Sequence, residues 1–217
     1  MGSNMRQTAL MRRWSSVIAL SALIAAITPS APASGSAATR VIYVAPVDAN
    51  AQPLAGVSVS LDVRGKCEPG SDSVPGPVYR CFDVGNSILD PCWADHAEVG
   101  SVLCLEAPWS QTVVKLDTGI PLPPNNEPVP TSQSHPWGVR LASGETCLAA
   151  QGAHDRFRGR VVDYACGKRY RLVLLRGMHH SHEPWSFDSA IWTGTKYVAG
   201  RRQAVRVAWF GGPRAAG

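Results

Sequence analysis

Val57-Ser58-Val59-Ser60-Leu61-Asp62-Val63 alternates aliphatic and polar residues at every step. Side chains on an extended chain point to opposite faces with a period of two, so the four aliphatics share one face of a β-strand. The pattern recurs outward from this stretch. Residues 41–47 form a β-branched run, residues 48–56 are rich in turn formers, and a hairpin joining the two runs is expected. Downstream, Trp137, Val139 and Leu141 alternate with Gly138, Arg140 and Ala142, and Ser143-Gly144 supplies a turn before residues 146–149. Further strands are expected at 160–166, 170–175 and 203–210, the last with Val205, Val207 and Trp209 on one face. There is no heptad pattern, no sustained helical period and no solenoid-length repeat. The expected fold class is mainly β: an antiparallel β-sandwich or barrel-like domain with three disulfides and long Pro-rich loops.

The amino-terminal end reads differently. Arg12 and Arg13 precede an apolar run over residues 14–27, and small residues follow at Ala31, Ala33, Ser36, Ala37 and Ala38. This is the layout of a secretory signal peptide, expected over residues 1–38 with cleavage after Ala33 or Ala38. A spanning helix needs roughly 20 apolar residues and this run is shorter, so no transmembrane span is expected after cleavage. The first cysteine, Cys67, is far from the cut, which argues against a lipid anchor there. The expected location is secreted or extracytoplasmic, in the cell envelope. The domain plan has an N-terminal β-hairpin at 39–66 and a disulfide-stapled β domain at 67–217. An internal boundary falls in the Pro-rich stretch 119–136, which contains six prolines that cannot donate to a sheet ladder.

Charge follows the same division. The whole chain has 21 basic and 16 acidic residues, but the first 38 contain three arginines and no acid. The remainder is close to balanced, so nucleic acid is not an expected partner. Residues 39–134 contain five basic and eleven acidic residues, whereas residues 135–217 contain thirteen basic and five acidic. Either the two halves neutralise each other, or the C-terminal half presents a cationic face to an anionic envelope polymer or lipid.

Cys67, Cys81, Cys92, Cys104, Cys147 and Cys166 are even in number and follow an export signal, which argues for three disulfides. Six cysteines allow 15 connectivities. Neighbour pairing is the expectation: Cys67 with Cys81, Cys92 with Cys104, and Cys147 with Cys166. No C-x-x-C spacing of a zinc cluster or a redox motif occurs, and nothing in the sequence calls for a cofactor.

Few residues promise chemistry. His179, His180, His182 and Glu183 are dense in metal-ligand types, yet they lack the H-E-x-x-H spacing, and Pro184 opposes a helix. A solvated turn is the expectation. No G-x-S-x-G elbow marks a serine nucleophile, and Asp83, Asp90 and Asp95 are not placed across a cleft by sequence alone. No catalytic or metal-binding residue is therefore assigned. Trp137 and Trp209 belong on buried strand faces, which leaves Trp93 and Trp109 as candidates for a ligand surface together with Arg156, Arg158 and Arg160.

The segments Asp90-Pro-Cys-Trp93, Val102-Leu-Cys104, Ala107-Pro-Trp-Ser110, Pro136-Trp-Gly-Val-Arg-Leu-Ala-Ser-Gly144, Cys147, Gly152-Ala153 and Tyr164-Ala-Cys166 complete the picture. Together they resemble a group of exported actinobacterial proteins, mycobacterial ones among them, with no assigned activity. Ser143-Gly144 stands where Asn-Gly is usual in that group, and Asp163 where Asn precedes the tyrosine. The resemblance implies location and architecture, and it has no catalytic residues to carry over. The expected function is that of an exported, non-enzymatic binding or accessory protein of the envelope. The alternatives are an envelope hydrolase with an Asp/His site and a structural or host-directed secreted protein.

Overall fold

The computed structural model describes residues 37–71, 77–125 and 135–212. Apart from Ala37 and Ala38, the expected signal segment 1–38 lies outside the described residues, as does the 126–134 part of the Pro-rich stretch. Everything described belongs to one compact unit. Among the described residues no segment is helical, and no helix is long and apolar enough to cross a membrane. The fold is mainly β, as the alternating runs predict.

The strands are β1 (Arg40–Val44), β2 (Ser58–Pro69), β3 (Val78–Asp83), β4 (Ile88–Ala94), β5 (Ser101–Leu105), β6 (Thr112–Asp117), β7 (Gly138–Leu141) and β8 (Thr146–Ala149). They continue with β9 (Arg156–Phe157), β10 (Arg160–Cys166), β11 (Leu172–Leu175), β12 (Ser186–Phe187), β13 (Ser189–Trp192), β14 (Tyr197–Ala199) and β15 (Gln203–Gly211). Strands β2 to β6 close into a barrel in sequence order. Its internal pairs are antiparallel, and the seam between β2 and β6 is parallel. That follows from the count: in a meander of five, the first and last strands run the same way. The long β2 serves both sides, with Ser58–Arg64 zipped to β6 and Gly65–Pro69 to β3.

The remaining strands form a second sheet in the order β1-β15-β7-β8-β10-β11-β13-β14, with β12 attached to β15 and β9 to β10. The Pro-rich stretch therefore connects the last barrel strand, β6, to β7 of the second sheet. The expected hairpin between residues 41–47 and 57–63 does not form. β1 pairs in parallel with β15, in a register running from Arg40 against Val207 to Val44 against Gly211. The reason is that both sides of β2 are occupied by β6 and β3, so no edge is left for β1. The loop between them closes on itself instead, through Asp48 N–H to Gln52 O and a bridge between Val47 and Pro53.

The single buried face expected for β2 is also corrected. Val59 and Leu61 are 52% and 54% exposed. The pairing slips between Val59 against Val113 and Leu61 against Val114, a bulge at Ser60 that breaks the alternation. On β15 Val205, Val207 and Trp209 are all buried, but a register shift between Val205 and Val207 breaks the single face, and Val205 joins Ala208 in the large core cluster without Val207 or Trp209.

Two large cores and one small one result, and β5 shows how the large ones divide. All five of its residues are buried. Val102 and Cys104 join Tyr79, Cys81, Cys92, Val114 and Leu116 in one cluster, while Leu103 and Leu105 point the other way. That second face meets Trp93 and Val113 from the barrel, and Trp137, Val139, Leu141, Tyr164, Phe187 and Val205 from the second sheet. Tyr164 is fully buried in this shared core against Phe187, and its hydroxyl donates to Pro136 O at 2.5 Å. Burial pushes its phenol well above the usual tyrosine range. Gly138 is required where the two parts touch. A Cβ there would lie 2.7 Å from Pro108 and 2.9 Å from the Trp109 ring.

All six cysteines are bridged in the neighbour pairing: Cys67–Cys81, Cys92–Cys104 and Cys147–Cys166. Each pair joins residues directly opposite one another on adjacent antiparallel strands. The Sγ atoms of Cys81, Cys92 and Cys104 lie within 4.8 Å of one another, so two bridges stack together beside the barrel's buried residues. Stable disulfides of this kind belong to an oxidising environment.

Candidate functional site

The basic half places its charges on a defined scaffold. β9 and β10 form a hairpin whose two turn residues, Arg158 and Gly159, both have positive φ, 51° and 79°. That is the backbone of a type I′ turn, which suits the right-handed twist of paired strands and favours Asn-Gly. Arginine at the first position is locally unfavourable, because its Cβ crowds the backbone in the left-handed region. The hairpin is pinned from behind. Phe157 meets the Tyr197 ring edge-on at 6.3 Å, and Tyr197 Oη donates to Asp155 Oδ2 at 2.8 Å. Beneath them lies a small cluster of Val162, Val173, Leu175 and Ala190.

At the base of this hairpin two guanidiniums and an imidazole converge on one carboxylate. Arg160 Nη1 donates to Asp188 Oδ2 at 2.7 Å, and Arg202 Nε to Asp188 Oδ1 at 3.1 Å. His179 Nε2 lies 3.1 Å from Asp188 Oδ2. The second Arg160 nitrogen, Nη2, donates to Arg176 O at 2.7 Å. Arg176 in turn clamps Asp163 through two nitrogens, at 2.8 and 3.0 Å, with His154 Nδ1 4.0 Å from the same carboxylate. Bonds from Arg160 and then His179 hold the Asp188 carboxyl far below its ordinary range, so it stays ionised. It orients guanidiniums and is no proton carrier at neutral pH. Arg176 and Arg202 remain more than half exposed.

Arg156 and Arg158 extend the group along the hairpin. Arg156 Nη1 donates to Gly159 O at 3.1 Å, and the Arg158 guanidinium sits 5.2 Å from the Phe157 ring centre. The structure thus gathers Arg156, Arg158 and Arg160 on one hairpin. Arg176, Arg202 and Asp188 were not marked by the sequence, and His179 was marked only within a cluster of metal-ligand types. A signal for Asp188 was nonetheless present, since five acids among thirteen basic residues make each carboxylate a natural hub.

The tryptophans go elsewhere. Trp109 is 40% exposed, meets Trp209 edge-on at 5.3 Å, and lines a cleft of about 470 Å³ together with Tyr43, Pro108 and Gln111. Trp93 is buried against Trp137, its ring centre 6.2 Å away, and shows only an edge to a different cleft of about 390 Å³. Neither cleft includes Arg156, Arg158 or Arg160 in its lining. Trp109 and Trp93 thus line different clefts, and neither cleft is shared with the arginine hairpin.

The histidines disperse as well. His179 turns to Asp188, while His180 Nδ1 lies 3.3 Å from Met178 O and its ring stacks edge-on near Trp185. Asp90 is buried on β4. Asp48 and His96 do line the 390 Å³ cleft together, but Asp48 Oδ1 accepts the Asn50 and Gln52 amides and so caps its own loop.

Fold and surfaces together define an all-β, disulfide-bridged protein in which a five-stranded barrel packs against a larger sheet bearing a cationic corner. No protein-family model, curated protein or solved structure matches this chain.

Proposed function

We propose that this is an exported, non-enzymatic binding or accessory protein of the cell envelope, contacting an anionic glycopolymer or lipid surface through its basic C-terminal half. The observation that carries this reading is the convergence of Arg160, Arg202 and His179 on Asp188, beside the hairpin of Arg156 and Arg158. Guanidiniums already oriented by a carboxylate lose little side-chain freedom when they meet phosphate or carboxylate groups. Arg158 supports the reading from another side: a cation occupies a turn position where backbone chemistry favours Asn. The disulfides and the resemblance to exported actinobacterial proteins agree with it.

The test is binding to vesicles of anionic lipid and to a phosphodiester-linked glycan, at low and high salt. Replacing Arg156→Ala and Arg158→Asn should weaken binding roughly fivefold per arginine near a charged surface. Affinity should also fall with added salt. Undiminished binding by the double variant, or binding insensitive to salt, overturns the reading. Arg158→Asn should leave the melting temperature unchanged or raise it, which separates lost binding from lost folding.

A hydrolase is the second reading, and the observation for it is Asp48 and His96 on one cleft. Ester or glycoside turnover abolished by His96→Ala would favour it.

A further inference from the structure

The chain passes from exposed to buried between two adjacent residues. Ala37 and Ala38 are exposed, whereas Thr39 is only 9% exposed. Thr39 Oγ1 donates to Val205 O at 2.7 Å and accepts the Trp185 amide at 2.8 Å. Its backbone nitrogen donates to Glu183 Oε2 at 2.7 Å. The backbone nitrogen and the hydroxyl of Thr39 are thus both seated on segments more than 140 positions away in the chain. Small Ser36 and Ala38 flank Ala37 just before it, the small-x-small pattern that precedes an export cut.

We infer that the processed bond is Ala38–Thr39, and that Glu183, Trp185 and Val205 form the receptor for the new amino terminus. This rests on the export reading above. Cleavage by a signal peptidase adds water across the Ala38 carbonyl and breaks the C–N bond. Ala38 leaves as a carboxylate, and the Thr39 nitrogen takes up protons to become an ammonium. One amide donor facing Glu183 is replaced by three donors and a full positive charge, at a separation already that of an ion pair. A cut after Ala33 would leave residues 34–38 attached and the nitrogen an uncharged amide. The seat then gains nothing from processing.

The experiment is export of the full chain, followed by intact-mass measurement and amino-terminal sequencing of the recovered protein. The expected terminus is Thr39-Arg40-Val41. A terminus at Ser34 overturns this inference and leaves export standing, whereas an unprocessed chain retained inside the cell overturns both. The second arm compares Glu183→Gln in two mature proteins, one starting at Thr39 and one with Ala38 retained. The loss in melting temperature should be larger by roughly 2–4 °C in the Thr39-start protein. Equal losses in the two would show that Glu183 meets no ammonium and overturn the receptor.

Discussion

Asp188 illustrates how one residue organises a surface. Its depressed carboxyl pKa means that the folded state favours the ionised form more than the unfolded chain does. The stabilisation is therefore present above the unfolded carboxyl pKa of about 4 and is lost as pH falls below it. Asp188→Asn should cost about 1 kcal/mol at pH 7, a modest value because the partners are partly solvent-screened. The difference from the wild type should shrink as pH falls below about 4. Denaturant midpoints of both proteins between pH 2 and 7 check this, and a gap that stays constant would contradict it. At this scale legibility was uneven. Arg156, Arg158 and Arg160 stood out as a candidate ligand surface, but the tight turn at Arg158-Gly159 that joins β9 to β10 was not read. Asp188 did not stand out, because its importance comes from the β12–β13 junction meeting β10, a juxtaposition no local pattern encodes. Trp93 and Trp109 looked alike in sequence, and packing against Trp137 buried the first while leaving the second half open.

Among the elements, the antiparallel pair of β8 and β10 shows what local sequence can specify. Cys147 and Cys166 end up directly opposite one another, and the bridge closes a loop of 19 residues. Replacing both with serine should cost about 3 kcal/mol on the chain-entropy account. Calorimetric melting of the double variant measures it, and a loss below a few tenths would show that the ladder alone holds the pair. Strand identity and cysteine pairing were readable because alternation and short loops are local facts. The destination of β1 was not. Its partner β15 lies at the far end of the chain, and a parallel edge pairing leaves no turn signature between the two strands. The bulge at Ser60 was equally silent, since it depends on how β2 meets β6.

The molecule as a whole is held together by the core between its two parts. Leu103, Leu105, Val113 and Trp93 leave the barrel wall and pack on residues of the second sheet. A fragment of residues 57–125 would expose that face to water, an apolar area too large for a small soluble barrel. Produced alone, it should bind a hydrophobic dye and self-associate, whereas the complete protein should do neither. A monomeric, dye-silent fragment with cooperative melting would show instead that the barrel is independent. The charge division read from sequence maps onto the same two parts, acidic through β6 and basic from β7 onward. What the sequence could not say is that β1, from the acidic side, crosses over to complete the basic one.

That crossing sets an order of events. Two of the bridges join consecutive strands and the third joins β8 to β10 across the short β9, so each closes a loop of fewer than 20 residues and needs only nearby chain to form. The edge strand β1 behaves oppositely: among the described residues its ladder partner is β15, which follows it by more than 150 positions. A nascent chain interrupted anywhere before residue 203 would already contain both barrel disulfides once past Cys104, but its first strand and Thr39 would still be waiting for their seats. A chain without residues 203–211 therefore leaves β1 and Thr39 unseated, so docking of the first strand depends on β15.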